Sequence, residues 1–185
     1  MIRRAHSLAI VGLLFGAPAW PCTIVVDADH PRLTPEELVA QADAIVLASV
    51  VRQIRAPVPF ERFRTLPHDE QERFDMALLH GIVELEVIET LRGAVDASIF
   101  LEGTTTDHDD YNRGFVPYTG VRPSGAGGSC FAYDYQQGGT FLLLLKKTKA
   151  GAPTPYWAAL QPTNEQVVGA GDPWVVWVRQ RLAPR

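Results

Sequence analysis

The sequence predicts a mainly β domain, a barrel or a sandwich, with helices only near its two ends. Two observations predict this class. The apolar segments after residue 43 are short, rich in β-branched residues and bounded by turn residues, which is typical of strands. The clearest helix-start signals stand near residue 34 and near residue 172. Neither an internal repeat nor a heptad pattern is visible between them.

The first 19 residues have the three parts of a secretory signal peptide. Arg3 and Arg4 precede an apolar run at residues 8–15, and small residues around Pro18 form a cleavage site. This run is far shorter than the roughly 20 residues that span a bilayer, so we expect no transmembrane segment after cleavage. Cleavage after Ala19 leaves a single domain of residues 20–185, located in the periplasm or outside the cell.

The first elements of the mature chain are a helix and an apolar strand. Thr34 is expected to cap the helix, because Pro35 suits the first helical position and Glu37 completes a capping box. The helix should end near Ala42. Residues 44–51 then form an apolar run without alternation, which predicts a strand with apolar neighbours on both faces.

The second strand alternates between apolar and charged side chains. Val83, Leu85 and Val87 are expected to point into the core, while Glu84 and Glu86 stay in water. The five predicted strands are residues 44–51, 82–89, 97–102, 140–146 and 156–161. Together they should form one antiparallel, barrel-like sheet.

Two long segments fall outside this pattern. Residues 54–79 are charged and contain three prolines, with a short helix expected at 70–76, and residues 103–129 are rich in Gly, Asp and Thr. Loops of this length in a compact domain are uncommon and are usually functional or disordered. A last helix starts at Asp172, and Trp174 and Trp177 on its apolar face are expected to anchor it to the core.

The order of these segments resembles a known family. Ala42-Asp43 before an apolar strand, and Leu91-Arg92-Gly93 at the end of the next strand, follow the order found in the netrin-like domain of the tissue inhibitors of metalloproteinases and their bacterial relatives. The resemblance covers roughly residues 22–146 and implies a five-stranded antiparallel OB-type barrel. With the elements above, we expect a short N-terminal helix, a C-terminal helix, and loop insertions near 54–79 and 103–129.

Cys22 and Cys130 are the two cysteines of the chain. In an oxidising compartment, two lone thiols are most simply interpreted as one disulfide, and the resemblance implies an N-terminal disulfide as well. The alternatives weighed are a nucleophilic thiol at Cys130 and a lipid on Cys22. The disulfide competes for the sulfur of Cys130, and Pro21 is not the small residue that lipid attachment requires before the cysteine.

The sequence departs from the animal inhibitors at its mature end. In those proteins the first residue is the cysteine, whose free amine and carbonyl bind the zinc of the target protease. Here Trp20 and Pro21 precede Cys22, so its nitrogen is an ordinary peptide N–H, and Ile24 stands where a second cysteine would be. The inhibitory chemistry is therefore not carried over with the fold.

The sequence predicts no catalytic, cofactor-binding or metal-binding residue. The densest candidate is Asp107-His108-Asp109-Asp110, which lacks the order of an EF-hand loop. We interpret it as a solvated acidic loop. The histidines at positions 30, 68 and 80 are scattered, without the spacing of zinc ligands, and the one at 80 is interpreted as a surface residue.

The functional prediction is an exported, non-enzymatic binding module without a cofactor. The formal charge of −4 becomes −6 when the two leader arginines are lost, which argues against a nucleic-acid partner. We expect a protein partner of unknown identity, met by Trp20, Pro21 and Cys22 and by loops at one end of the barrel, as the resemblance implies. Protease inhibition is a narrower form of this hypothesis. The alternatives are a metal-dependent enzyme using the 103–129 loop and a structural envelope component.

Overall fold

The computed structural model describes residues 33–72, 77–127, 132–148, 157–160 and 164–184. The strands are β1 (Ala44–Arg55), β2 (Ile82–Arg92), β3 (Ser98–Glu102), β4 (Thr104–Thr106), β5 (Asp134–Gln136), β6 (Thr140–Lys147), β7 (Trp157–Ala159) and β8 (Glu165–Val167). The α-helices are α1 (Pro35–Gln41), α2 (Phe60–Arg64), α3 (His68–Glu72), α4 (Ala77–His80) and α5 (Pro173–Leu182). A short 3-10 helix covers Pro123–Gly127. Within these ranges, no helix is both long and apolar enough to cross a membrane.

Six of the strands form one antiparallel sheet in the order β3-β2-β1-β6-β7, with β8 also paired to β6. β4 and β5 form a separate parallel pair. The two ends of the sheet approach each other, because Cα atoms of β3 and β7 come within 8 Å. No hydrogen-bonded ladder joins these two strands in the part of the chain that the structure describes. The mainly β, antiparallel class is confirmed, whereas the described residues do not show a closed barrel.

β1 lies at the centre of the sheet and is buried on both faces. Its residues 44–48 are each at most 1% exposed. Val46 and Ala48 belong to a core shared by the sheet strands, which we call the sheet core. Ile45 and Leu47 belong to a second core with residues of α1 and α5, which we call the helix core. The prediction of apolar neighbours on both sides is confirmed for residues 44–48, whereas Val51, at the end of the predicted run, is 42% exposed.

β2 has the predicted alternation. The apolar side chains that face the sheet core are Val83, Leu85 and Val87. On the opposite face, Glu86 is exposed. Glu84 is only partly exposed, and its Oε2 accepts a 2.7 Å hydrogen bond from Nε of Arg52 on β1. The charged face of β2 therefore contributes a cross-strand ion pair that alternation alone does not predict.

α1 begins with the predicted capping box. Oγ1 of Thr34 accepts a hydrogen bond from the N–H of Glu37 at 3.2 Å, and Oε2 of Glu37 accepts one from the N–H of Thr34 at 2.7 Å. At the other end, Nη1 of Arg92 donates to the carbonyls of Val39 at 2.7 Å and Ala40 at 3.2 Å. Side chains therefore satisfy backbone groups at both ends of this short helix.

α5 is capped and anchored as predicted. Oδ1 of Asp172 accepts a hydrogen bond from the N–H of Trp174 at 2.9 Å. Trp174 is fully buried in the helix core, and its ring stacks on that of Trp177 with centroids 4.8 Å apart. Trp177 packs against the same core, so the expectation that both rings anchor this helix is confirmed.

The structure differs from the predicted elements at strand ends and in the long segments. β1 and β2 continue beyond residues 51 and 89, because they pair with each other along most of their length. Residues 54–79 contain α2, α3 and part of α4 instead of one helix at 70–76, of which 73–76 lie outside the described residues. β4, β5 and β8 are three residues long and mostly polar, so the apolar pattern used for the other strands does not reveal them.

Candidate functional site

A buried ion pair anchors the long segment at residues 103–127. Nη1 of Arg122 lies 2.6 Å from Oδ2 of Asp110, and the two side chains are 0% and 4% exposed. Asp110 also accepts hydrogen bonds from the backbone N–H of Ser124 at 2.9 Å and from its hydroxyl at 2.5 Å. The buried carboxylate therefore has a counter-charge and two further donors, as a stable buried ion requires.

Every guanidinium nitrogen of Arg122 donates a hydrogen bond within the protein. Its backbone acceptors are the carbonyls of Asn164 for Nε (2.7 Å), Asp134 for Nη1 (2.8 Å) and Ala132 for Nη2 (3.0 Å). The guanidinium carbon also lies 5.3 Å from the ring centroid of Tyr135 and 5.1 Å from that of Phe141. Arg122 thus joins the long segment to the residues next to β5 and β8 and to the sheet core.

A second carboxyl group, that of Glu165 on β8, is fully buried. Its Oε1 accepts a hydrogen bond from Nδ2 of Asn112 at 3.2 Å, whereas Oε2 has no hydrogen-bond partner among the described residues. Burial raises the pKa of Glu165 to about 8; the charges of Asp110 and Asp172 add to the rise, and the Asn112 bond and the charge of Arg122 oppose it. Glu165 is therefore mainly protonated at neutral pH.

Asn112 also organises the loop whose tip is residues 113–115. Its Oδ1 accepts a hydrogen bond from the N–H of Gly114 at 2.9 Å. Its Nδ2, besides bonding Glu165, donates to the carbonyl of Gly120 at 3.3 Å. One side chain therefore closes the loop on itself and ties it to β8. We refer to residues 113–115 as the loop tip.

Residues before and after the loop tip contact the rest of the protein, whereas the tip itself is exposed. Before the tip, Asp110 is bonded to Arg122. After the tip, Tyr118 packs against the helix core, with its ring centroid 5.6 Å from that of Trp174. Between these anchors, the side chain of Phe115 is 97% exposed. The fold therefore presents an aromatic ring to solvent from a segment that is fixed on both sides.

His80, which precedes β2, lies at the surface but is partly buried, with its side chain 36% exposed. Its ring stacks on that of Tyr133 with centroids 3.9 Å apart, and its Nε2 lies 3.8 Å from Oε1 of Glu102. Burial lowers the pKa of His80, although the charge of Asp134 opposes this shift. The side chain is therefore mainly neutral at pH 7.

The predicted acidic loop has an exposed part and a buried part. Asp107, His108 and Asp109 are exposed, with Nδ1 of His108 3.3 Å from Oδ1 of Asp107. Asp110 is buried, so the interpretation as a solvated loop is wrong at this position. The reason is Arg122, 12 residues later, which supplies the counter-charge that burial requires. Among the described residues, no three His, Cys, Asp or Glu side chains are grouped so that they could hold a metal ion.

The predicted disulfide and the predicted partner-binding edge lie outside the described residues. They involve Trp20, Pro21, Cys22 and Cys130. Both therefore stay predictions.

We expect the exported protein to contain the bond between Cys22 and Cys130, because two lone thiols in an oxidising compartment pair with each other. Non-reducing mass spectrometry should then give a chain two hydrogens lighter than its reduced form. Alkylation of both cysteines in native protein, without added reductant, would contradict the bond.

Sequence reasoning missed the residues that organise this site. Asn112 and Gly114 do carry a local signal, since an Asn side chain commonly accepts a hydrogen bond from the N–H two residues later. Arg122 has none, because its partners lie between 10 and 42 residues away along the chain. Glu165 stands in a polar segment, where nothing local indicates burial.

No protein-family model matches this sequence, and no curated protein or solved structure matches it significantly.

Proposed function

We propose that this chain is an exported, non-enzymatic module that binds another protein, built on an OB-type barrel of the netrin-like kind. The observation that carries the proposal is Phe115, which is 97% exposed at the tip of an anchored loop. An aromatic ring on a fixed loop suits an apolar pocket of a partner, because little conformational entropy is lost on binding. The periplasm or the cell exterior is the proposed location.

The loop tip combines residue types that dominate protein interfaces. Arg113 and Phe115 are both exposed, on either side of Gly114. Arginine and aromatic residues are enriched at interfaces, and arginine is among the commonest hot-spot residues. The partner surface that complements this tip is an apolar pocket with an acidic residue at its rim. The N-terminal edge at residues 20–22 is a second proposed contact, and protease inhibition is the narrower form of the proposal.

The buried carboxylate of Asp110 favours a binding module over a metal-dependent enzyme in the 103–129 segment, because its oxygens are used inside the protein. The carboxylate of Asp110 is bonded to Arg122 and Ser124. The approach of β3 and β7 supports the OB-type barrel, because a nearly closed sheet is typical of that fold.

The proposal predicts that a partner from the envelope fraction of the source organism binds the immobilised protein through Phe115. Phe115→Ala is expected to weaken this binding about thirtyfold, which corresponds to a hot-spot loss of about 2 kcal/mol. The free energy of unfolding should change by less than about 0.5 kcal/mol, because the side chain is exposed. Biolayer interferometry with the purified partner measures the affinity, and urea unfolding measures the stability.

The matched control is Ile88→Ala, which removes an apolar side chain that is 58% exposed on β2. This variant is expected to bind like the wild type. Undiminished binding by Phe115→Ala would contradict the assignment to the loop tip. Failure to obtain any specific protein partner would contradict the proposed function. Sedimentation with anionic phospholipid vesicles that Phe115→Ala abolishes would assign the tip to a membrane surface instead.

A further inference from the structure

A second surface feature, independent of the loop tip, is a groove between the first and last helices. The groove has a volume of about 460 Å³, which is within the range of small-molecule sites in proteins. Its lining residues are Glu36, Val39, Ala40, Arg92, Arg181 and Leu182. They come from α1, the end of β2 and the last turn of α5.

Part of the groove wall is aliphatic. Val39 is 5% exposed and belongs to the helix core, and Leu182 packs against the same core. Leu182, which is only partly buried, and the exposed Ala40 can contact a short hydrocarbon chain, but their side chains offer no partner to a polar or charged group. The polar part of a ligand must therefore be held by the two arginines.

Arg92 brings one guanidinium group to the groove in a fixed position. Its Nη1 donates to the carbonyls of Val39 and Ala40, at 2.7 and 3.2 Å. Among the described residues, Nε and Nη2 of Arg92 have no hydrogen-bond partner. The side chain is thus held against α1 while two of its nitrogens retain unused donors.

Arg181 brings the second guanidinium group. Its guanidinium carbon lies 4.7 Å from the ring centroid of Trp177, a distance at which cation and ring attract each other. Its Nη2 is 3.7 Å from Oε1 of Glu36, which is longer than a hydrogen bond. Arg181 is therefore supported by an aromatic ring and has donors available for a ligand.

The charges of the groove favour an anion. Two guanidinium groups face one carboxylate, that of Glu36, which leaves one positive charge in excess. The excess positive charge attracts an anion, and the aliphatic part of the wall favours an anion attached to a hydrocarbon chain over an inorganic one such as phosphate. The forked donors of arginine match the two oxygens of a carboxylate.

We propose that this groove binds a monocarboxylate attached to an aliphatic chain. The carboxylate is held by Arg92 and Arg181, and the chain lies along Ala40 and Leu182. The free C-terminus of a peptide that ends in an aliphatic residue and a short fatty acid share this chemistry.

NMR titration of the ¹⁵N-labelled mature protein tests the site. The probes are N-acetyl-alanyl-leucine, hexanoate, the corresponding amides and inorganic phosphate. At least one of the two acids is expected to shift the backbone amide signals of Val39, Ala40 and Leu182, and the neutral amides are not. The acid that binds more tightly identifies the source of the ligand. Absence of shifts with both acids, equal shifts with the amides, or tighter binding of phosphate would overturn the proposal.

Three variants are expected to change the affinity for the acid in different directions in the same titration. Arg181→Gln should weaken binding of the acid about tenfold, because a charge-assisted hydrogen bond is lost. Glu36→Gln should tighten it about threefold, because a repelling carboxylate is removed. Arg52→Gln is the control, because it removes the same charge as Arg181→Gln at a distant position. Ile45 lies opposite Arg92, and Arg52 is about 23 Å from Ile45 along β1. Binding of the acid should therefore not change.

The remaining signals of each spectrum report whether the variant is folded. Unchanged affinity in both Arg181→Gln and Glu36→Gln would overturn the proposal. Equal weakening by Arg52→Gln and Arg181→Gln would overturn it as well, because the effect would then reflect net charge and not the groove.

Discussion

Replacement of Arg122 by methionine is expected to lower the free energy of unfolding by about 3–5 kcal/mol, the usual cost of removing one partner of a buried ion pair. Methionine fills part of the same space but donates no hydrogen bond. Asp110 would then remain buried with Ser124 as its only donor residue among the bonds described above. The carbonyls that also lose a donor are those of Ala132, Asp134 and Asn164.

Urea unfolding followed by tryptophan fluorescence measures this loss. The double variant Arg122→Met, Asp110→Asn removes the uncompensated charge, so it should recover part of the lost stability. Arg52→Gln is the control for an exposed ion pair with Glu84 and should cost no more than about 1 kcal/mol. If Arg122→Met differed from the wild type by less than that, the buried pair would not be the anchor of the segment at 103–127.

Replacement of Glu165 by glutamine is expected to raise the free energy of unfolding by about 2–3 kcal/mol at pH 7. Burial raises the pKa of Glu165 to about 8 in the folded protein, from an ordinary value of 4.5. Between these two pH values the folded state keeps a proton that the unfolded state has lost. Wild-type stability therefore falls as pH rises from 4.5 to 8, by about 1.4 kcal/mol per unit. Glutamine does not titrate, but its amide also lacks one partner, so the gain is smaller than the full linkage.

Urea unfolding of both proteins at several pH values between 4.5 and 8 measures this effect. The difference between them should be small at the acid end and grow as pH rises, while the contributions of other titrating groups cancel. Glu86→Gln, at an exposed position on β2, should change stability by less than about 0.5 kcal/mol throughout. A difference for Glu165→Gln that is the same at every pH would show that the buried carboxyl is not the titrating group.

The sequence alone was sufficient to predict the elements whose formation depends on residues close together in the chain. Thr34 and Asp172 cap their helices through residues two or three positions later, and these contacts are visible in the order of residues. The apolar run at 44–51 similarly predicts a strand buried on both faces. β4 was missed because three threonines carry no apolar pattern, and its pairing partner starts 30 residues later, where Thr104 lies opposite Asp134.

The candidate site was predictable only in outline. The length of the segment at 103–129 indicated a functional or disordered loop, but its acidic residues gave no sign that Asp110 turns inward. That burial depends on a distant arginine and is not set by the neighbours of the aspartate. The exposure of Phe115 was likewise not predictable from its neighbours in the sequence. A phenylalanine next to Val116 would ordinarily be expected in a core, and its exposure follows from anchors on both sides of the tip.

The double burial of residues 44–48 also bears on how β1 finds its alignment. In a strand with one wet face, a slip by one residue puts charged side chains into the core, so the slipped form is penalised at once. In β1, the same slip exchanges Ile45 and Val46 between two cores of similar aliphatic chemistry. Hydrophobic burial therefore discriminates poorly between neighbouring alignments of this strand.

The contacts that distinguish one alignment of β1 from another must therefore lie at the two ends of the apolar run. At one end, Oδ2 of Asp43 accepts a hydrogen bond from the N–H of Lys147 at 3.0 Å. At the other end, Arg52 pairs with Glu84 on β2. Exposed polar contacts of this kind contribute little to the free energy of unfolding. We expect them to favour the observed alignment over neighbouring ones of similar hydrophobic burial.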